Sequence, residues 1–343
     1  MSTGERGDAI TARELFAPDR GAAASGRVPN FFIVGQPKSG TTALYEILRR
    51  HPQIFMPDVK EPLLLATDLQ ARSRRSGAAT RRRPDTFDEY LSLFAPAEPQ
   101  QRVGEASALY LWSRDAAANI AWLEPAARII AIFREPASFL RSLHLQLLQN
   151  HTETQKDLRK ALSLEQARSR GKRIPRGCPR PAALLYSERV RYAEQLSRYQ
   201  ETFAPEQLLV MIYDDFRADN EETVRSVLRF LDVDDTVPIE TTEANPTVRL
   251  RSRRVDAIVH EVSVGRRHPL LRTAKAGIKA LTSERMRRVA LRTTRQSLVF
   301  GEPDPPDERL AQELRARFKP EVVALSDYLG RDLVSLWGYG SVD

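Results

Sequence analysis

Residues 30–42, which read Asn-Phe-Phe-Ile-Val-Gly-Gln-Pro-Lys-Ser-Gly-Thr-Thr, decide the fold. The apolar run at the start of this stretch predicts a short strand that is buried on both faces, as in a parallel sheet. A helical pattern follows at residues 42–50. A glycine-bearing turn between a buried strand and a helix aims backbone N–H groups at an anion. The stretch therefore predicts an α/β fold with an anion-binding loop.

This loop has the glycine spacing of a nucleotide-triphosphatase P-loop, but its lysine lies elsewhere. Gly35 and Gly40 are five residues apart, Lys38 lies between them, and Thr41 follows the second glycine. A triphosphatase needs its lysine directly after the second glycine, followed by a serine or threonine that binds Mg²⁺. The loop therefore favours a phosphate-binding site of another kind.

The next predicted strand, at 128–133, supports the same interpretation. It runs directly into Arg134, where a metal-holding enzyme would have a carboxylate. A cation at this point indicates that the protein handles phosphate charge directly, without Mg²⁺. An ATP-dependent P-loop small-molecule kinase is the enzymatic alternative, and it requires the lysine and the acid that are missing here.

Strands and helices alternate along most of the chain. Further strands are predicted at 102–104 and 207–213, and helices at 85–94, 135–150, 189–203 and 220–231. This alternation predicts a P-loop-like three-layer α/β fold with a central parallel sheet. We expect residues 1–28 to be a flexible lead-in and residues 29–343 to form one domain. Its C-terminal part, from about Val248, is predicted to be basic and entirely helical, with helices at 306–329 and 332–337.

The basic composition raises a second alternative, a nucleic-acid-binding protein. The 343 residues include 53 Lys and Arg against 45 Asp and Glu, a net charge of +8. The two Arg-dense stretches, 72–83 and 168–180, contain no aromatic residues on which bases could stack. We therefore expect no nucleic-acid partner, and we interpret both stretches as exposed insertions.

Other features of the composition concern the compartment and metals. The single cysteine, Cys178, cannot form an internal disulfide, and no window reaches about 18 uninterrupted apolar residues. The first thirty residues have no apolar core, so we expect a cytoplasmic protein without a transmembrane segment. Residues 266–295 could contact an anionic membrane surface, but we favour an ordinary amphipathic helical cap. The five histidines are scattered, so no metal site is expected.

Residues 35–42 resemble the 5′-phosphosulfate loop of sulfotransferases that use 3′-phosphoadenylyl sulfate (PAPS). Arg134-Glu135-Pro136, with Ser142 eight residues after the arginine, is similar to the 3′-phosphate element of that family. Glu135 stands where aspartate is more usual. Several further segments occur in the expected order: 60–62, 87–90, 103–107, 192–196 and 329–333. The likeness covers residues 30–337 and is greatest to the glycan-type branch, which has bacterial members.

The resemblance implies transfer of a sulfuryl group from PAPS to a hydroxyl or amine of a small molecule, glycan or glycolipid. The product would be adenosine 3′,5′-bisphosphate (PAP), and no metal would take part. Arg134 and Ser142 would clamp the 3′-phosphate. Lys38 would stabilise the leaving oxygen. The loop residues implied in donor binding are Gln36, Pro37, Lys38, Ser39, Gly40, Thr41 and Thr42.

A general base must take the proton of the acceptor. Glu61 is the first candidate, because the resembled branch has its catalytic glutamate in this segment and the leucines at 63–65 provide an apolar wall. The alternative is that Glu61 only pairs with a neighbouring cation such as Lys60. His144 is the second candidate. It lies two residues beyond Ser142, and such a helical pair diverges, so packing is the alternative for His144.

The sequence does not define the acceptor or the oligomeric state. Ala106 stands where some glycan-sulfating relatives have a lysine near the acceptor, which argues against a heparan-like polyanionic acceptor. Glu105 has two open interpretations: it lines the acceptor cleft, or it holds the loop that follows its strand.

Overall fold

The computed structural model describes residues 27–70, 83–176, 178–240, 249–250, 300–301, 305 and 307–341. Its centre is a sheet of five parallel strands in the order β2-β3-β1-β4-β5. The strands are β1 (Phe31–Gly35), β2 (Ile54–Phe55), β3 (Arg102–Ala106), β4 (Arg128–Phe133) and β5 (Leu208–Ile212). The carboxyl ends of parallel strands share one edge of the sheet, so the segments after β1, β3 and β4 meet there.

The connections between strands are mainly helical. The α-helices are α1 (Thr41–Leu48), α2 (Thr67–Gln70), α3 (Phe87–Ser92), α4 (Ala116–Leu123), α5 (Pro136–Gln149), α6 (Leu158–Ser163), α7 (Glu165–Ser169), α8 (Tyr192–Gln200), α9 (Tyr213–Ala218), α10 (Asn220–Phe230), α11 (Glu308–Leu329) and α12 (Leu333–Leu336). Short 3₁₀ helices occur at Pro181–Leu184, Ser187–Val190 and Pro205–Gln207. Two-residue strands β6 (Arg249–Leu250) and β7 (Phe300–Gly301) pair antiparallel.

Helices cover both faces of the sheet. Along β1, Phe32 and Val34 belong to one apolar core together with residues of α4, α5, α8 and α11. Phe31 and Ile33 point to the opposite face and pack with residues of α1 and α10. Every residue of β1 is buried, as expected for a strand enclosed between two helical layers. Among the described helices, none combines the length and apolar character that a membrane crossing requires.

The predicted α/β fold class is confirmed, and some elements were missed. Strand β2 has only two residues, and pairing with β3 rather than sequence pattern defines it. Helix α4 is rich in alanine, so its helical periodicity is weak. The C-terminal helices α11 and α12 agree with prediction, but β6 and β7 show that this part is not entirely helical. The 1–28 lead-in, the 72–83 stretch and the basic 248–299 region lie almost wholly outside the described residues.

The expectation that residues 168–180 form an exposed insertion is wrong at Arg168. This side chain is buried and forms an ion pair of 2.7 Å with Glu153, which is fully buried. The pair is stable there because Glu153 also accepts hydrogen bonds from the backbone N–H groups of Thr154 and Gln155. Residues 171–173 of the same stretch are exposed, as predicted.

Candidate active site

The loop between β1 and α1 is built by two backbone positions in the left-handed region. Lys38 has φ 67° and Gly40 has φ 87°. A Cβ on Gly40 would lie 2.8 Å from the ring of Phe216, so both the conformation and the space require glycine there. The loop is anchored at its start, where the Gln36 N–H donates to the carbonyl of Ile132 at 2.8 Å. The bend directs the chain into α1, which begins at Thr41.

Several polar groups of this bend have no partner among the residues that the structure describes. Gln36 Oε1 and Ser39 Oγ are buried without a hydrogen bond, and no side chain caps the N-terminus of α1. Buried polar atoms are normally satisfied, so atoms of this kind at a loop indicate a ligand. The free first-turn N–H groups of an eight-residue helix add the positive end of its dipole. These residues fit an anionic group such as the 5′-phosphosulfate of PAPS.

Arg134 lies against this loop, as predicted. Its Nη1 donates to the carbonyl oxygen of Lys38 at 2.8 Å, and its Nε donates to Ser138 Oγ at 2.9 Å. The guanidinium carbon lies 4.7 Å from the ring centre of Tyr213. Burial lowers the pKa of Arg134, and burial followed by the charge of Arg134 lowers the pKa of Lys38. The two cations repel each other, so an anion between them would be stabilised.

Ser142 lies one helical turn beyond Ser138 on the same face of α5. It is 2% exposed, and its Oγ has no partner among the described residues. This unsatisfied hydroxyl lies on the helix face that contacts Arg134. The arrangement is what a clamp for a second phosphate requires, with a guanidinium at the strand end and a hydroxyl on the following helix.

Glu135, which stands where the resembled family more often has aspartate, caps the N-terminus of α5. Its carboxylate accepts hydrogen bonds from the N–H groups of Ala137 at 3.1 Å and Ser138 at 2.6 Å. The Tyr339 hydroxyl donates to the same carboxylate at 2.9 Å. The C-terminal segment therefore helps to fix the residue that follows Arg134.

Glu61 lies on the opposite side of the loop, beside the end of β3. Its N–H donates to the carbonyl of Ala106 at 3.0 Å, and its carboxylate pairs with Lys60 Nζ at 2.9 Å. Glu61 has φ 63°, a conformation that is uncommon for a residue with a side chain and that is often found at functional sites. One fifth of its side chain is exposed, so the carboxylate is accessible.

Glu105 is fully buried below this segment. The hydroxyls of Tyr90 and Tyr110 each donate to its Oε2 at 2.8 Å. Burial raises the pKa of Glu105 to about 7, and the negative charge of Glu61 adds to this effect. The carboxyl therefore holds the loop after β3 through Tyr110, which supports the second of the two interpretations left open by the sequence, and it also holds α3 through Tyr90.

His144 lies in the interior on α5. Its Nδ1 is 2.8 Å from the Tyr186 hydroxyl and its Nε2 is 3.0 Å from the carbonyl of Lys156, so both nitrogens have internal partners. Burial lowers the pKa of His144. The packing alternative for His144 thus has direct geometric support.

Comparison with known proteins gives the family. A family model described as "Sulfotransferase family" matches residues 29–237, more than half of the chain. The chain belongs to the sulfotransferase family. The matched region contains the loop, Glu61, Arg134 and Ser142.

Individual relatives are distant. Carbohydrate sulfotransferase 15 of Mus musculus is 26% identical in an alignment 254 residues long that covers 60% of this chain and 44% of that protein. The bifunctional heparan sulfate N-deacetylase/N-sulfotransferase 3 of Homo sapiens is 26% identical over 216 residues, 60% of this chain and 22% of that protein. The chain thus spans less than half of these curated relatives.

A solved sulfotransferase from Alicyclobacillus acidocaldarius matches the whole fold better. The identity is 26%, the TM-score is 0.62, and the match covers 91% of this chain and 99% of that one. This likeness agrees with the five-stranded parallel sheet described above.

Two arginines of this candidate site were missed in the sequence. Arg189 is 3% exposed, its guanidinium carbon lies 4.1 Å above the ring of Trp112, and its carbonyl lies 3.5 Å from Gln36 Nε2. Arg180 has a buried Nε without a partner. Burial, followed by the charge of Arg180, lowers the pKa of Arg189 to about 9. Arg189 directly follows Ser187 and Glu188, so no local pattern in the sequence distinguishes it from an exposed arginine.

Proposed function

We propose that this protein transfers a sulfuryl group from PAPS to a hydroxyl or amine of a small molecule, glycan or glycolipid. The observation that carries the proposal is the 2.8 Å hydrogen bond from Arg134 to the Lys38 carbonyl. It joins a lone guanidinium after β4 to the glycine-bearing loop after β1. Two anion-binding groups are thereby held as one unit, which suits a donor with phosphates at both its 5′ and 3′ positions.

The donor would be held by the two sides of this unit. The N–H groups from Ser39 to Thr42 would bind the 5′-phosphosulfate at the N-terminus of α1. The side chains of Gln36 and Ser39, whose buried oxygens lack partners, would complete that shell. Arg134 and the Ser142 hydroxyl would bind the 3′-phosphate, with a charge-assisted hydrogen bond from the guanidinium. Gly40 and Pro37 would shape the bend.

Catalysis would consist mainly of positioning and charge stabilisation. Lys38 would place its ammonium beside the bridging oxygen, where negative charge develops as the sulfur–oxygen bond breaks. Glu61 would accept the proton of the acceptor hydroxyl while that oxygen attacks sulfur. Glu61 lies beside β3, and Arg134 lies on the other side of the loop. The acceptor would therefore bind on the β3 side and the 3′-phosphate on the β4 side. His144 would position α5 through its two internal hydrogen bonds.

The proposal is tested by binding and by transfer. We expect the purified protein to bind PAP in EDTA, measured by isothermal titration calorimetry. Binding that appears only with ATP and Mg²⁺ would instead identify a P-loop kinase. Incubation with ³⁵S-labelled PAPS and panels of phenols, sugars, lipids and amines should yield a product whose mass increases by one sulfuryl group. Absence of both PAP binding and labelled product would overturn the proposal.

A further inference from the structure

Arg189 is a buried cation without an anionic partner in the part of the chain that the structure describes. Its side chain is 3% exposed, and no carboxylate of the described residues forms a hydrogen bond or ion pair with it. Its guanidinium stacks on Trp112, and this contact leaves the N–H groups at the edge of the plane unused. A buried, unpaired charge is costly, so such a residue is expected to meet an anion that the protein itself does not supply.

Arg168 shows that the fold pairs a buried arginine where the role is structural. Its side chain is 1% exposed, and it forms a 2.7 Å ion pair with Glu153, which is 0% exposed. Arg189 is buried to a similar degree and lacks this compensation. The contrast separates an arginine that supports the fold from one that is held ready for a ligand.

Arg180 adds a second unused cation at the same place. Its Nε is buried without a partner, and its positive charge acts on Arg189. The negative charge of Glu61 acts on both arginines, but this carboxylate is already paired with Lys60 at 2.9 Å. The charges of Arg83 and Asp68 also act on Arg180, so the cluster comprises four cations (Lys60, Arg83, Arg180 and Arg189) and two acids (Glu61 and Asp68) and keeps a net positive charge.

The cluster lies on the acceptor side of the loop. Arg189 and Trp112 line a closed crevice, with no room for a water molecule, together with Phe139 of α5 and with Gln36 and Pro37, the first two loop residues after β1. Arg134, by contrast, contacts Lys38 and the ring of Tyr213, which follows β5. Since β3 and β4 flank β1 on opposite sides, the arginines near Glu61 and the arginine near Ser142 serve different parts of the site.

We propose that Arg180 and Arg189 form an anion-binding subsite that recognises a carboxylate, sulfonate, sulfate or phosphate already present on the acceptor. The inference rests on the proposed function and narrows its substrate class to anionic acceptors. The guanidinium of Arg189, held flat by Trp112, presents its N–H edge for a bidentate contact. The acceptor hydroxyl then lies beside Glu61, and its anionic group lies a short distance away on the arginines.

The test uses pairs of acceptors in which one member carries an anionic group that the other lacks. The full chain, saturated with PAP, is titrated calorimetrically with 4-nitrophenyl β-D-glucuronide and with the neutral 4-nitrophenyl β-D-glucoside. A second pair is 4-hydroxybenzenesulfonate and phenol. We expect at least one anionic member to bind about tenfold or more tightly than its neutral partner, the effect of one or two charge-assisted hydrogen bonds. Equal affinity within both pairs, including no detectable binding, would overturn the inference.

Variants connect the preference to the arginines. Arg189→Met should remove the preference for the anionic member while PAP affinity stays within about twofold. Arg191→Met, at a neighbouring exposed arginine paired with Glu188 and Glu194, is the matched control and should retain it. Arg180→Met provides the same comparison if Arg189→Met does not fold.

The thermal stability of Arg189→Met distinguishes a ligand-binding role of Arg189 from a purely structural one. Without ligand, Arg189→Met should melt at the same temperature as the original protein or higher, because a buried unpaired charge is removed. A loss of PAP affinity in Arg189→Met with unchanged acceptor binding would assign the arginine to the donor and overturn the inference. Failure of PAP to bind the unmodified protein would overturn the proposed function as well, whereas PAP binding without charge preference overturns the inference alone.

Discussion

The guanidinium of Arg134 and the carbonyl oxygen of Lys38 are joined by a hydrogen bond of 2.8 Å. Lys38 holds its carbonyl toward Arg134 with a positive φ of 67°. The backbone of the loop and the end of β4 therefore move together. The hydrogen bond therefore couples the proposed 5′-phosphosulfate site in the loop to the proposed 3′-phosphate site at Arg134. We expect different effects from substitutions at the two sites.

Lys38→Ala should reduce sulfuryl transfer by about 10²–10³-fold, because one group that stabilises the developing charge is lost. The rate of PAP release from PAPS measures this effect, and circular dichroism checks that the fold is intact. Lys172→Ala removes an exposed lysine far along the chain and is the control. Full turnover in Lys38→Ala would contradict the role given to the loop.

Ser142→Ala should weaken PAP binding by about fivefold or more, the worth of a hydrogen bond to a charged group. Its Oγ has no partner among the described residues, so the free energy of unfolding should change by less than about 0.5 kcal/mol. Calorimetry and urea denaturation measure the two quantities, with the exposed Ser163→Ala as the control. Unchanged PAP affinity would remove Ser142 from the donor site.

Glu61→Gln should lower kcat by about 10²–10⁴-fold, since the amide cannot accept a proton. PAP affinity should be unchanged, because Glu61 lies on the β3 side of the loop. Steady-state kinetics with a labelled acceptor identified by the panel above measures the change.

His144→Asn separates the two candidate bases. It removes hydrogen bonds to Tyr186 and Lys156, so it should destabilise the protein by about 1–3 kcal/mol and affect kcat much less than Glu61→Gln. If the histidine variant loses more turnover than the glutamine variant while remaining folded, His144 is the base.

Glu105→Gln should alter the pH dependence of stability. The pKa of Glu105 is about 7 in the folded protein and 4.5 in the unfolded chain, so between these values the folded state keeps a proton that the unfolded state releases. This carboxyl therefore contributes stability below pH 4.5 that is lost as the pH rises to about 7, roughly 3 kcal/mol in all.

The glutamine cannot titrate, so the fall in unfolding free energy between pH 5 and 8 should be smaller in Glu105→Gln. Urea denaturation at several pH values measures it. Parallel curves for the two proteins would show that Glu105 is ionised throughout that range.

Arg168→Met should destabilise the protein by about 3–5 kcal/mol, because Glu153 would remain buried without its cation. Chemical denaturation measures the loss. The double variant Arg168→Met with Glu153→Leu should recover part of it, since no unpaired charge is left. A single variant as stable as the original chain would mean that water reaches Glu153.

The sequence predicted those parts of the fold that depend on local pattern. The strand at Phe31–Gly35, the loop and Arg134 were identified because buried runs, glycines and a strand-end cation are visible along the chain. Strand β2 was missed because two residues carry no periodicity and only pairing with β3 defines them.

The candidate site was predictable on its donor side and less so on its acceptor side. Lys38 and Arg134 lie at the ends of adjacent strands, so the topology brings them together. The sequence could not show which arginines are buried, because sequence pattern treats every arginine as a polar, exposed residue. This applies to Arg168, Arg180 and Arg189. Burial, and the presence or absence of a carboxylate such as Glu153, distinguishes them, and both depend on contacts between distant segments.

The central position of β1 has a consequence for how such an enzyme can diversify. In the proposed site, residues after β4 would hold the adenosine end. The segment after β2, the end of β3 and the residues before α8 would face the incoming nucleophile. The two halves meet at the bend of residues 36–40 and at Tyr192, whose hydroxyl donates to the carbonyl of Arg134 at 2.7 Å. Replacing the acceptor-side segments with those of another family member should therefore change which acceptor is sulfated, while the affinity for the nucleotide stays the same.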